Sequence, residues 1–332
     1  MGVRRKMQAK LGGWASRSKG MSRRGKSLFS AKEMVFMALP LLCIAALAFE
    51  ETLLLAVYAS GRSGICPMRQ SLAAADVAAG MKKANDEISA GSRVVEKDGK
   101  AGLVRWRTPY GDYWAPRATN VPFLLAEQAT RVYGDGALRV RKGDIVLDCG
   151  ANIGTFAREA LNAGARVVVA IEPSEENVES LRRNFAAEIK QGRVVVYPKG
   201  VWHSEEVLKL YSYDNSALDS FVLKERWETT TLPKEVQMPV NTIDRIVEEL
   251  KLARVDFVKM DVEGAERHAI RGARETLRRF HPRMSIATEN LADDQYAVPQ
   301  LVRQTWPSYR QECGRCVATS DGRIQPDVVH FY

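Results

Sequence analysis

From Gly143 onward, apolar residues fall into short runs of β-formers separated by stretches with helical spacing. The runs predict strands at Ile145–Cys149, Arg166–Ile171, Arg193–Tyr197, Val255–Met260 and Met284–Ala287. Helical spacing between them predicts helices over Thr155–Asn162, Glu175–Ala187 and Ile243–Leu250, and from Ala265 towards Phe280 with a break at Gly272. Ser174 stands where an N-cap belongs, and Glu175 and Glu176 suit the first turn of a helix. Strands alternating with helices predict a parallel sheet covered on both faces. The tail breaks this rhythm. "YRQECGRCVATSDGRIQPDVVHFY" reads as two strands joined at Asp321-Gly322, an antiparallel hairpin at the sheet edge. The expected fold class is α/β: a doubly wound, mostly parallel seven-stranded sheet with a C-terminal antiparallel hairpin.

Upstream the pattern is weaker. Leu103–Pro116 reads as a small hairpin around Pro109-Tyr110-Gly111-Asp112, and "PFLLAEQATRVYG" as a helix. Residues 59–102 are rich in Ala, Gly, Ser and Lys and lose hydrophobic periodicity after Leu72–Met81, so they read as a partly helical stem or linker. Before them lies "MVFMALPLLCIAALAF", a charge-free run of 16 residues that reaches 25 at Tyr58 by including Glu50 and Glu51. A bilayer span needs roughly 20 apolar residues. With a basic arm in front, the run reads as a single-pass membrane anchor with a cytosolic N-terminus. A cleaved signal peptide, an organelle presequence and a buried core helix are the competing readings. The chain thus divides into an arm at 1–33, an anchor at 34–58, a stem at 59–102 and a domain at 103–332.

Charge changes the picture only once it is located. The net charge of +9 looks like a nucleic-acid signal, but residues 1–33 carry all of it: ten Lys and Arg against Glu33 alone. A neutral body has no general footprint for a phosphate backbone, so no nucleic-acid partner is expected. Cys313 and Cys316 form one Cys-x-x-Cys without a second pair, which reads as structural or incidental rather than as a zinc site. A disulfide would require the domain to face an oxidising compartment.

Candidate chemistry gathers at two strand ends. "GDIVLDCGANIGTF" is a strand, a glycine turn and a helix start, the arrangement that holds a nucleoside-bearing cofactor. Its Gly-x-x-x-Gly after Asp-x is not the Gly-x-Gly-x-x-Gly of dinucleotide binders; it is the spacing of S-adenosylmethionine (SAM) methyltransferases. Asp148, Gly150, Asn152 and Gly154 are the candidate cofactor residues. Glu172 joins them, 18 residues beyond Gly154 at the tip of the second strand, where a ribose diol is gripped. In "VDFVKMDVEGAE", Lys259, Asp261 and Glu263 alternate with apolar residues, which would place all three on one side of a strand. Central parallel strands usually read as continuous apolar runs. Asp261 and Glu263 are candidates to orient or deprotonate an acceptor hydroxyl, with Lys259 as their charge partner and His203 as a further base. A buried structural Lys–carboxylate pair is the competing reading. Glu289 either lines an acceptor pocket or caps a turn, and His268, His281 and His330 read as structural. No metal is assigned. Contacts to the acceptor are expected from loops such as Tyr211–Pro239.

Together "VLDCGANIGTF", "AIEPSEENVESLRRNF", "VNTIDRI", "FVKMDVEGAERHAIRGA" and "PRMSIATEN" resemble the FkbM-family methyltransferases, over roughly residues 105–290. The resemblance implies a class I, Rossmann-like methyltransferase fold and SAM-dependent O-methylation of a small-molecule, glycan or lipid-linked hydroxyl. A non-catalytic SAM-fold binding module at a membrane is the alternative.

Overall fold

The computed structural model describes residues 52–134, 136–212, 220–221, 233–319 and 321–332. Two helices, Met68–Leu72 and Ala74–Ala90, lead into strands β1 (Arg93–Asp98), β2 (Leu103–Thr108) and β3 (Gly111–Pro116). The three strands form an antiparallel sheet, and β2 turns into β3 through Pro109-Tyr110 as expected. The region read as a stem or linker is therefore folded into the domain. Met81, Ala84 and Ile88 pack against Val121, Leu125 and Ala126 of helix Val121–Ala129. Their spacing is helical, but the stripe is narrow and diluted by Ala and Lys, which hid it in the sequence. Cys66 is buried and disulfide-bonded to Cys316, 250 residues away in the chain. Cys316 thus pairs with a distant cysteine, while Cys313 keeps a free thiol.

Chain order continues with β4 (Ile145–Cys149), β5 (Val167–Ile171), β6 (Val194–Tyr197), β7 (Gly200–Val201), β8 (Glu206–Ser212) and β9 (Lys234–Asn241). It ends with β10 (Phe257–Met260), β11 (Arg283–Ala287), β12 (Gln311–Cys313), β13 (Cys316–Ala318), β14 (Ile324–Pro326) and β15 (Val328–Phe331). The main sheet has seven strands in the order β6-β5-β4-β10-β11-β15-β12. The first five run parallel; β15 is antiparallel to both β11 and β12. Strand order reverses between β4 and β10, and open α/β sheets bind ligands at the carboxyl ends beside such a reversal.

The tail differs from the expected single hairpin. Asp321-Gly322 joins β13 to β14 in a separate two-stranded sheet, and β12 with β15 closes the main sheet. Gly314-Arg315 and Asp327 interrupt what would be two long strands; the Asp327 carboxylate accepts from the Arg315 guanidinium and from Val328 N. A third small sheet, β7-β9-β8, flanks the site.

Two apolar layers cover the main sheet. Leu147, Cys149, Val258, Met260 and Ile286 pack against helices Ile243–Glu249, Glu266–Arg271, Arg274–Phe280 and Asp294–Thr305. Val146, Val168, Ala170 and Phe257 pack on the other face against helices Thr155–Asn162 and Glu175–Asn184. The doubly wound expectation holds. The basic arm and residues 34–51 of the expected anchor lie outside the described residues; 52–58 are helical. Among the described residues no helix is long and apolar enough to cross a membrane.

Candidate active site

Alternation along β4 turns Asp148 to the same face as Val146, and register continues a polar row across the sheet. Asp148 lies beside Lys259, Lys259 beside Ser285, and Ser285 beside His330. Asp148 is completely buried, and neither of its carboxylate oxygens accepts a hydrogen bond. Its nearest cation is Lys259, at 3.6 Å from Nζ to Oδ1. Burial pushes the Asp148 carboxyl up to about 6, with the Lys259 charge pulling the other way. Burial also opposes the Lys259 charge, but Asp148, Asp261 and Glu127 outweigh it and hold the ammonium above its usual range.

The loop after β4 is held by backbone. Gly150 has φ +78°, and a Cβ there would lie 1.9 Å from the Asp261 carbonyl oxygen, so only glycine allows the two strand ends to meet. Gly154, at φ +91°, precedes the helix, and a Cβ would strike the Phe185 ring at 2.2 Å. Asn152 also adopts a positive φ of 51°. Its amide donates to Glu172 Oε2 at 2.8 Å. Glu172 Oε1 accepts from Ser174 N at 3.0 Å and from Asn177 Nδ2 at 3.3 Å. Glu172 therefore ties the glycine loop to the following helix. Ser174 holds the N-cap position without a capping side-chain bond, and its own amide goes to Glu172.

The turn after β10 departs from strand alternation. The strand ends at Met260, and Glu263 has φ +55° in the turn. Lys259 and Asp261 converge on Tyr133: Nζ lies 5.1 Å from its ring centroid, and its hydroxyl donates to Asp261 Oδ2 at 2.6 Å. Burial, then the Asp261 charge, holds the Tyr133 phenol well above its usual range, so it remains a donor. Tyr133 is fixed by Ser285 Oγ, which donates to its carbonyl at 3.0 Å.

Around Asp261 stand carboxyls from separate elements. Burial, then the Asp261 charge, pushes Glu127 up to about 8. Glu289, just beyond β11, is solvent-accessible. It is nevertheless held well above its usual range by desolvation, then by Asp327, Asp261, Glu127 and Glu263. Among the described residues no three ligands are placed to hold a metal ion.

His203 pairs with a second histidine. Its Nδ1 lies 3.0 Å from His268 Nδ1, and the His268 ring stacks on Trp202 at 3.6 Å. Burial, then the His203 charge, lowers His268 to about 4. The structure thus brings together Asp148, Gly150, Asn152, Gly154, Glu172, Lys259 and Asp261, sets Glu263 beside them in the turn, and pairs His203 with another histidine. Tyr133 and Glu127 escaped the sequence reading; the only signal was a tyrosine closing a predicted helix.

A family model described as the Methyltransferase FkbM domain matches residues 148–314. The chain belongs to the FkbM methyltransferase family. The match opens on Asp148 and spans Glu172, Lys259, Asp261 and Glu263, whereas Glu127 and Tyr133 precede it. Among solved structures the fold resembles an FkbM methyltransferase from Methylobacillus flagellatus KT, at 16% identity and TM-score 0.44, covering 78% of this chain and 60% of that one. It also resembles a magnesium protoporphyrin IX methyltransferase from Synechocystis PCC 6803, solved with bound SAM, at 11% identity and TM-score 0.35, covering 62% and 76% of the two chains. A putative RNA methyltransferase from Pyrococcus horikoshii aligns at 15% identity and TM-score 0.33, covering 76% and 94%. The FkbM family assignment rests on the family match alone. No curated protein matches the sequence.

Proposed function

We propose that this FkbM-family chain is a SAM-dependent O-methyltransferase acting on a hydroxyl of a small-molecule, glycan or lipid-linked acceptor. The observation that carries the reading is the meeting of two strand ends. A buried Asp148 with unbonded oxygens stands beside a glycine loop, and Asp261 sits against that loop through Gly150. The residues fit the cofactor. Asp148 is the acceptor for an ammonium, the start of helix Thr155–Asn162 lacks a side-chain cap, and Glu172 stands at the second strand tip. SAM supplies an activated methyl group on a sulfonium. The protein must then orient the acceptor oxygen and remove its proton. Tyr133 occupies Asp261 Oδ2 and leaves Oδ1 to take that proton. Glu263 and Glu289 line the acceptor side, where carboxyls suit hydroxyl-rich ligands.

The location reading extends to a membrane. The apolar run at 34–58 behind a basic arm supports a single-pass anchor with a cytosolic N-terminus, which carries the domain across the bilayer. The Cys66–Cys316 disulfide supports the same side, since such bonds persist in oxidising compartments. A protease-accessibility tag after Tyr332 tests this: protection in sealed microsomes is expected, and digestion without detergent contradicts it. The activity is tested by incubating the full chain with methyl-labelled SAM and separate glycan, lipid and small-molecule extracts. Base-stable label in an ether linkage is expected. Label confined to ester, amine or thioether products overturns O-methylation of a hydroxyl.

A further inference from the structure

Lys259 is an anomaly in a central parallel strand: it is 5% exposed and saturated by contacts on the cofactor side. Its ammonium donates to the Gly150 carbonyl at 2.8 Å and reaches the Cys149 carbonyl at 3.5 Å, besides the ion pair with Asp148. We propose that Lys259 is a positioning residue for the cofactor: it clamps the glycine loop by its carbonyls and keeps Asp148 a carboxylate for the SAM ammonium. The inference rests on the SAM reading and extends it from the residues that touch the cofactor to the one that readies them.

Asp148 lies on β4 between β5 and β10, and no hydrogen-bond donor satisfies its oxygens. The charged and titratable groups acting on the pair include Asp261 from the turn after β10, Glu127 from helix Val121–Ala129, Glu172 just beyond β5, Cys149 from β4 and the Tyr133 ring. Burial and the Asp261 charge disfavour an ionised Asp148, and Lys259 is the cation that offsets them. Burial and Asp261 already bring that carboxyl up to about 6 with Lys259 present. Without the ammonium, the pull that favours the charged Asp148 is gone, and burial and Asp261 both push towards the neutral acid, which forms no ionic contact. The loop carbonyls of Cys149 and Gly150 lose their shared donor in the same stroke.

Titration calorimetry with SAM and with S-adenosylhomocysteine on the full chain tests this without an acceptor. Lys259→Met should weaken SAM binding at pH 7 by at least tenfold, and Lys259→Arg by less. Because Lys259→Met alone leaves a buried carboxylate unpaired and can fail to fold, the pair is also removed as Lys259→Met with Asp148→Asn. That double variant should bind no more weakly than the worse single variant, since both changes break one unit. The ratio of Kd between Lys259→Met and wild type should shrink as pH rises from 6 to 8, as Asp148 regains its charge. A purely structural lysine leaves that ratio flat. Wild-type affinity in a folded Lys259→Met protein, or losses that multiply in the double variant, overturns the proposal. Failure of the wild type to bind either nucleoside overturns the SAM reading instead.

Discussion

The loop after β4 and the turn after β10 touch backbone to backbone, yet they are assembled in opposite ways. The loop is built locally: Gly150, Asn152, Gly154 and Glu172 lie within one strand–helix–strand unit and hold each other through main-chain amides. The turn borrows its polar partners from distant segments, with Tyr133 and Glu127 before the sheet and Glu289 and Asp327 near its far edge. A half-site made of backbone recognises a constant ligand. One made of converging side chains can be retuned for a different acceptor without disturbing the cofactor.

Variants that act on one half alone put this difference to the test. Asp261→Asn removes the proposed acceptor-side base and should lower turnover by about 10²- to 10⁴-fold while SAM affinity stays within twofold. Single-turnover assays beside calorimetry check it, and a parallel loss of both quantities would merge the two halves. Glu172→Ala strips the carboxylate from two backbone amides and Asn177; it should weaken SAM binding by roughly 10- to 100-fold. If turnover at saturating SAM also collapses, the halves are not separable. Tyr133→Phe deletes one charged hydrogen bond to Asp261 and should cost about tenfold in turnover with SAM affinity unchanged.

The smallest effect concerns stability. Glu266 is fully buried beneath the turn, and Oε1 accepts from Val262 N and Asn290 Nδ2. Burial, then Asp261, raises its carboxyl from 4.5 to about 8. A raised acid binds its proton more tightly when folded, so its contribution is full below pH 4.5 and lost as pH rises through about 8. Glu266→Gln should flatten the fall of melting temperature between pH 6 and 9. An unchanged slope would show that Glu266 ionises without consequence.

The same contrast explains what could be read from the sequence. β4 was legible to the residue because a continuous apolar run ends in Asp148 and the turn glycines are obligatory for the loop geometry. Helix Thr155–Asn162 was equally legible from its apolar face. Glu263 was not, because strand alternation stops at Met260 and nothing local marks the positive φ that follows. The partner of His203 was illegible for a related reason: His268 lies in a helix that only tertiary packing brings near. Tyr133 and the Cys66–Cys316 bond were invisible because each joins segments more than 100 residues apart, and periodicity carries no information at that range.

The proposed SAM site depends above all on the buried Asp148, whose oxygens accept no hydrogen bond. The most direct measurement is calorimetric titration of SAM into the full chain and into Asp148→Ala, with circular dichroism confirming that both are folded. Saturable binding by the wild type and at least a hundredfold loss in the variant is the predicted result. Equal affinity in the two proteins would contradict it.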